Sequence, residues 1–567
     1  MANEVATTLH ALGEEATRSF PLPGGVVTII DRGGVVGQTT FGYADLERSI
    51  AMPVDGRFQI GSISKVFTSL VVNQLVDEGQ LRFEETLGDV LKWPYFGPAM
   101  SAITIEELLT HTSGLPAGAD ALADDAAEIW NVRGHETNLA SRGHFHYSNI
   151  GYQLLGEIVR ERTGHRLSDL VYQRWLVPLG MANASGEVTY ADRASLVPGY
   201  WPMAPEHPWA PGDPLAPATL LETDSASGNV IATSDDMSRL VMALIGANSG
   251  DPVLDNDGAA LITGATLQRM TTRLALEGEP TMVPSGLAPV EQSRYGLGIN
   301  VESIEDHHCL SHGGGMVGYS TFMLVDCTSA FGVVVLTNAN GDTLAAQLLA
   351  RVAHAQFARG LAGLPPLDDF SMDATVRGAG SNESLGSNGV GSFVSDHDGS
   401  LLEIVDPGEG LALVVRFEGV DGRLSRRPTG RFVTNHPRLR RYYLDRAGTG
   451  DVVSWFYGKQ EYSPVASGSL RSVNLDQVNP LVGHYRSYSP WFPEFRIFDR
   501  GGILWLSAPG GVEAPCDDEE LTEIENGILR VGSDPTLPER LLLGPIRQGE
   551  VVSVNRDGCW YSRVFSP

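Results

Sequence analysis

Phe58-Gln59-Ile60-Gly61-Ser62-Ile63-Ser64-Lys65-Val66-Phe67 is the stretch on which the fold of this chain turns. It sets a hydroxyl, Ser62, and an ammonium, Lys65, three residues apart in a protein of 567 residues with only two other lysines, Lys92 and Lys459. Apolar residues fall at Ile63, Val66, Phe67, Leu70 and Val71, the spacing of one buried helix face. The pattern predicts a helix that starts near Ser62, entered through Gly61 and ended near Gly79. Ser62 and Lys65 then share a face one turn apart, with the serine at the positive end of the helix dipole. A serine hydroxyl becomes a working nucleophile when a neighbour takes its proton, and a desolvated lysine can do so. The ordinary alternative is an N-cap serine followed by a surface lysine, and the motif alone does not separate the two. Ser64, in the same motif, reads as a supporting hydrogen-bonder.

Composition narrows the field. A chain this long exceeds one hydrophobic core, so two or three domains are expected. A net charge of −29 excludes nucleic acid and anionic membrane as partners, since both require a basic surface. The first twenty residues lack the layout of a secretory signal and no apolar run approaches a membrane span, which predicts a cytoplasmic protein. Cys309, Cys327, Cys516 and Cys559 form no close-spaced pairs and read as buried or free thiols. His307, His308, Cys309 and His312 stand close in sequence, but in an extended run neighbours point to opposite faces, so no metal site is expected there, and no cofactor elsewhere.

Farther out, Val26 to Ile30 and Val35 to Gly42 read as strands. Residues 100 to 260 are mainly helical, with an irregular Pro- and Gly-rich excursion from Pro198 to Pro217 that suits a surface loop or cleft wall. Ser320 to Val325 and Gly332 to Thr337 read as a hairpin, followed by a helix from Thr343 to Arg359. Leu361 to Gly391 has linker composition, and beyond it short alternating stretches predict β-barrels or sandwiches. Val390-Gly391-Ser392-Phe393-Val394-Ser395 is echoed 92 residues later by Val482-Gly483-His484-Tyr485-Arg486-Ser487, which divides that tail in two.

Two more motifs accompany the first. Tyr147-Ser148-Asn149 precedes an amphipathic helix marked by Leu154, Leu155, Ile158 and Val159, where the phenol could relay protons and the amide could hold a substrate carbonyl. A capping Ser-Asn pair beside a packed tyrosine is the plain alternative. His312-Gly313-Gly314-Gly315 precedes a strand, and its glycines admit close backbone approach. Gly313 to Gly318 also fits Gly-x-Gly-x-x-Gly, but the run leads into a strand rather than a helix, which rejects a dinucleotide site.

Ser-x-x-Lys, Tyr-x-Asn and His-x-Gly in this order resemble the serine β-lactamase and penicillin-binding protein superfamily, in its class C, esterase and D-aminopeptidase branch. Thr104-Ile105-Glu106-Glu107-Leu108-Leu109-Thr110-His111-Thr112-Ser113-Gly114-Leu115-Pro116 and Pro178-Leu179-Gly180-Met181 are similar to that branch too. His111, inside the longer stretch, reads as structural. The resemblance implies an α+β catalytic domain, with an antiparallel sheet flanked by helices plus an all-helical lobe, over residues 1–360. A linker over 361–388 and two all-β antiparallel barrels over 389–470 and 471–567 would follow.

It also implies roles. Ser62 would be the acylated nucleophile, with Lys65 and Tyr147 sharing acid and base duty. Asn149, His312 and Gly314 would contact substrate, and the backbone N–H groups of Ser62 and Gly315 would form the oxyanion hole. His312 stands where β-lactamases carry lysine; a histidine near its reference pKa of about 6.5 is mostly neutral at pH 7, which argues against efficient penicillin hydrolysis. In the aminopeptidase-like members a barrel loop reaches the site, and Asp517-Asp518-Glu519-Glu520 is the acidic candidate by charge. The implied activity is hydrolysis of amide or peptide bonds in small or unusual peptides, including D-amino-acid and nonribosomal types, through an acyl-enzyme on Ser62. Carboxylester hydrolysis is the alternative; a β-lactamase or a non-turnover penicillin sensor are further readings. The expected partner is a small peptide, amide or ester substrate, and a homo-oligomer is compatible with the sequence.

Overall fold

A computed structural model describes the chain apart from residues 1, 21, 119–123, 132–141, 205, 211, 256–257, 340–343, 368–369, 376–388, 396–397, 409–412, 428–429, 448–452, 466–478, 501, 509–517 and 564–567. Cys516, Asp517 and most of the expected linker lie outside the described residues. Contacts divide the chain into two compact units: Met1–Trp201 with Pro217–Ala374 and Asp534–Glu539, and Pro202–Ala216 with Thr375–Ser533 and Arg540–Pro567.

The first unit is built on an eight-stranded antiparallel sheet. Its strands are β1 (Gly24–Asp31), β2 (Gly34–Asp45), β3 (Ile50–Ala51), β4 (Val290–Tyr295), β5 (Asn300–Ile304), β6 (His307–Met316), β7 (Tyr319–Asp326) and β8 (Phe331–Thr337). The order β3-β2-β1-β8-β7-β6-β5-β4 places the N-terminal strands beside the late ones, with Val27 opposite Val335. Strands β7 and β8 are buried along their whole length, as a sheet covered on both faces requires. Helices α1 (Ala2–Ser19) and α5 (Leu344–Leu361) pack on each other and on the sheet. Helix α4 (Ser234–Ser249) also packs on it and is tied to β1 by the Ser234 and Thr28 hydroxyls, 2.5 Å apart. The predicted hairpin is β7–β8: at its turn Asp326 Oδ1 accepts the N–H groups of Thr328 and Ser329, and Ala330 takes φ 57°.

Helix α2 (Ser64–Asp77) is buried over most of its length, its polar Ser64, Lys65, Thr68, Ser69 and Asn73 included, because it packs between other elements rather than on a surface. A single 3₁₀ turn, Gly61–Ile63, precedes it, so Ser62 sits at the mouth of the helix, where the sequence placed its start. Helix α3 (Asn149–Thr163) follows the second motif and ends at Gly164, φ 74°, in a left-handed cap. Among the described residues, no helix is long and apolar enough to cross a membrane.

In the second unit two closed eight-stranded antiparallel barrels follow one another, from Gly391–Ser395 to Gln460–Pro464 and from Gly483–Arg486 to Cys559–Ser562. Each is filled by its own core, around Trp455 and Tyr462 in the first and Phe495 and Tyr561 in the second, as barrels of this size are. The 92-residue echo marks their opening strands, each of which turns an aromatic inward: Phe393 and Tyr485 are both buried. The Pro-rich excursion belongs here over Pro202–Ala216; Ala210 packs with Val433 and Tyr443, and Arg440 pairs with Asp213 at 3.0 Å.

Candidate active site

Strand β6 outruns its neighbour. Its pairing with β5 ends at Asn300 opposite Ser311, while pairing with β7 continues to Met316 opposite Tyr319. The edge of His312 to Met316 thereby left to other groups is met by the turn before α2. A Cβ on Gly314 would come within 1.9 Å of the Ile60 carbonyl oxygen and 2.3 Å of Thr321 Oγ1, and one on Gly61 within 2.6 Å of the Gly315 carbonyl oxygen. Gly61 itself has φ 53°. Thr321 Oγ1 reaches both the Ile60 and the Gly314 carbonyl oxygens, at 2.9 and 3.0 Å, fastening turn to strand. Three glycines thus bring the backbone that carries Ser62 against Gly315, the close approach expected of a shared oxyanion site. Gly314, expected to contact substrate, is packed under Ile60.

On the other side, segment Ser225–Val230 holds the helix mouth. Val230 N–H donates to Ser64 Oγ at 3.0 Å, and Ile60 N–H to the Val230 carbonyl at 3.0 Å. Ser64 is fully buried and occupied as a supporting hydrogen-bonder. Ser62 is partly exposed. Lys65, buried completely, donates to Ser62 Oγ at 3.0 Å, to Asn149 Oδ1 at 2.7 Å and to the Ser227 carbonyl at 2.8 Å. Its Nζ lies 4.8 Å from the ring centre of Tyr147 and 5.3 Å from that of Tyr152. The first two motifs therefore converge on one ammonium.

The capping alternative for Tyr147-Ser148-Asn149 holds at its middle residue. Ser148 caps α3, accepting from Gly151 N–H at 3.1 Å, while Asn149 turns to Lys65. The loop is anchored by His111, whose Nδ1 accepts from Ser148 N–H at 3.0 Å and whose ring lies against Tyr147 at a tilt of 31°, with centres 4.3 Å apart. His111 has φ 57°, is fully buried, and its Nε2 finds no hydrogen-bond partner. Burial, with Lys65 nearby, holds its pKa well below the usual histidine value, so it is a neutral ring.

His312 is also completely buried. Its Nδ1 is 2.7 Å from the Gly313 carbonyl and its Nε2 is 2.7 Å from the Tyr295 hydroxyl, so both ring nitrogens are occupied. Burial, and then Lys65, lower its pKa to about 3, further than the sequence argument required. Sequence reasoning missed Tyr295, whose buried ring also packs on His111 at 4.7 Å. Glu279 was missed too: burial pushes its carboxyl up to about 7, against the pull of Lys65. Neither lies in a motif: Tyr295 is placed by the pairing of β4 with β5, and Glu279 by its N–H bond to Asn300 Oδ1 and the Ser293 hydroxyl on its carbonyl.

Asp518 pairs with Arg431 and Arg500, both at 3.2 Å, and Glu519 and Glu520 open a barrel strand. The acidic group beside the second motif is instead Glu539, at the end of the short segment that belongs to the first unit. Its Oε1 lies 2.6 Å from His146 Nε2 and accepts from Ala117 N–H at 3.2 Å. A lone glutamate after Pro538 carried no charge signal in the sequence.

Comparison with known proteins agrees with this geometry. The family described as Beta-lactamase matches residues 14–357, which hold all three motifs. The chain is similar to Protein flp of Staphylococcus aureus (strain MW2), 23% identical over 356 residues, covering 60% of this chain and 65% of that protein. It thus spans just under two thirds of the length of that relative. It is also 25% identical over 412 residues to Penicillin-binding protein 4* of Bacillus subtilis (strain 168), covering 69% of this chain and 83% of that one. Among solved structures, the octameric penicillin-binding protein homologue from Pyrococcus abyssi shares the fold with a TM-score of 0.51 and 19% identity, over 80% of this chain and 99% of that one. With the matched region spanning more than half of its residues, the chain belongs to the beta-lactamase family.

Proposed function

We propose that this protein is a serine hydrolase that opens amide or peptide bonds of small or unusual peptides through an acyl-enzyme on Ser62. The observation that carries the proposal is the buried Lys65 amine, 3.0 Å from the Ser62 hydroxyl. Two further partners, Asn149 Oδ1 and the Ser227 carbonyl, can only accept. Once Lys65 has given up a proton, its remaining N–H groups can stay on these acceptors while its lone pair faces the Ser62 O–H. Lys65 takes the serine proton as Oγ attacks the carbonyl, and the proton passes to the leaving amine with Tyr147 as the second proton carrier. Water then releases the acyl group by the reverse transfer. Gly315 N–H and Ser62 N–H hold the developing oxyanion, and Asn149 orients the substrate amide.

The substrate class follows from charge. A neutral His312 gives a substrate carboxylate no permanent cation to pair with, whereas the carboxyls of Glu279 and Glu539 favour an amine-bearing end. D-amino-acid and nonribosomal-type peptides fit that description.

Labelling with a fluorophosphonate, followed by turnover of D- and L-aminoacyl p-nitroanilides against a p-nitrophenyl ester, tests the proposal. Labelling is expected in the parent and absent in Ser62→Ala. A Ser62→Ala protein that still labels, or a parent that cleaves the ester but none of the anilides, overturns it.

A further inference from the structure

Far from Ser62, three rigid elements bring a second set of chemical groups together. His307 opens β6, Asp326 closes β7, and His354 lies on α5. His307 Nδ1 is 2.6 Å from Asp326 Oδ2 and His354 Nε2 is 3.1 Å from the same oxygen. All three candidate ligand atoms lie within 4.8 Å of one another. Five residues of extended strand, about 17 Å, separate His307 from His312, so this cluster is no part of the nucleophile's surroundings.

The cluster has the features of a site built to hold a cation. Donor atoms bound to one zinc-class ion at 2.0–2.2 Å span at most about 4.3 Å, a separation reached here by small side-chain rotations. Asp326 is fully buried, and its other oxygen is fixed by the N–H groups of Thr328 and Ser329 at 2.9 and 2.8 Å, which aims Oδ2 at the two imidazoles. His354 is stacked on Phe331, ring centres 5.0 Å apart and planes 17° apart, and meets the His307 ring edge to face. The neighbouring cation is already neutralised: Arg351 grips Glu302 with two bonds of 2.9 and 3.0 Å. Both histidines line a cavity of about 200 Å³, with Val283, Leu287, Glu305 and Arg359 among its walls, which leaves room for a water as fourth ligand.

We propose that His307, Asp326 and His354 form a binding site for one zinc-class divalent transition-metal ion, which ties helix α5 to strands β6 and β7. Two imidazoles and one carboxylate suit zinc, cobalt or nickel and disfavour magnesium or calcium. Binding needs only the histidine tautomers whose protons sit on the far ring nitrogens. Cys309 and Cys327, close by on the same strands or just beyond, stand outside the donor set.

The test uses the full chain, stripped with a chelator and dialysed, then titrated with cobalt(II). One equivalent is expected to bind with a visible d–d band that zinc bleaches, and zinc at about 100 µM should raise the melting temperature. His307→Gln and His354→Gln should each weaken cobalt binding by about tenfold or more. Should His354→Gln fail to fold, His307→Gln decides alone, because that side chain is partly exposed and near-ultraviolet circular dichroism reports whether it folds. A parent that binds well under one equivalent overturns the proposal, leaving a hydrogen-bonded Asp-His-His clamp. Binding that survives His307→Gln undiminished overturns it equally, since the metal then sits elsewhere.

Discussion

The carbonyl oxygen of Ile60 rests on the α-carbon of Gly314, leaving no space for even one methyl group between the serine turn and strand β6. Gly314→Ala therefore has to push the turn away from the strand, and Ser62 moves with it. Displacements of about 1 Å at a reacting group cost on the order of 100-fold in rate, which is the expected loss of kcat/KM in a chromogenic assay. Gly360→Ala, near the end of α5 where an added Cβ meets nothing within 4 Å, should change neither activity nor stability appreciably.

The two serines of the first motif should separate cleanly. Ser62→Ala and Lys65→Met are each expected to lower kcat/KM by about 1,000-fold or more and to abolish fluorophosphonate labelling. Ser64→Ala should keep labelling while losing about 1–3 kcal/mol of stability, because it strands the buried Val230 N–H. Denaturant unfolding beside gel-based labelling reads both effects.

Glu279 gives stability a pH dependence of unusual sign. Its carboxyl is raised from 4.5 to about 7 in the folded protein, so between those values the folded state holds a proton that the unfolded chain has released. Its contribution is complete below pH 4.5 and is lost as pH rises through 7. The loss is about 2 kcal/mol, the lower end of what the shift implies, since Glu279 keeps some contact with solvent. Glu279→Gln should remove this slope when melting curves are compared from pH 5 to 8, whereas an unchanged slope would assign it to other groups.

His111 acts through its neighbours. Replacing it with alanine removes the ring packed against Tyr147 and the acceptor of Ser148 N–H, so kcat should fall by about 10- to 100-fold with a smaller change in KM. Asparagine tolerates the positive φ better than most residues and offers an acceptor. His111→Asn should therefore recover stability ahead of activity, a split that loss of folding alone would not produce.

The sequence was most informative where one element carried its own signal. The buried face of α2, the β7–β8 hairpin and the opening strands of both barrels follow from spacing, because periodicity of 3.6 or 2 survives in any local window. The convergence of Ser62, Lys65, Tyr147 and Asn149 was legible only because three motifs occur in one order. Ser227 contributes a backbone carbonyl, which any residue type could supply, and Tyr295 and Glu279 lie on a segment whose position depends on sheet order. Asp326 and His354 are 28 residues apart and meet only when α5 folds back on the sheet. Charge alone marked the acidic run at Asp518 as a candidate, whereas its pairing with Arg431 and Arg500 depends on the barrel fold.

Segment Asp534–Glu539 bears on when this protein becomes whole during its synthesis. Glu539 braces His146 and Ala117 beside the second motif, yet it is translated 393 and 422 residues after them. A nascent chain that has emerged only as far as the end of the family-matched region therefore lacks this brace. Ribosomes stalled before that point should display helix α2 already formed but the Tyr147 loop unbraced, a contact that waits until residue 539 has been read.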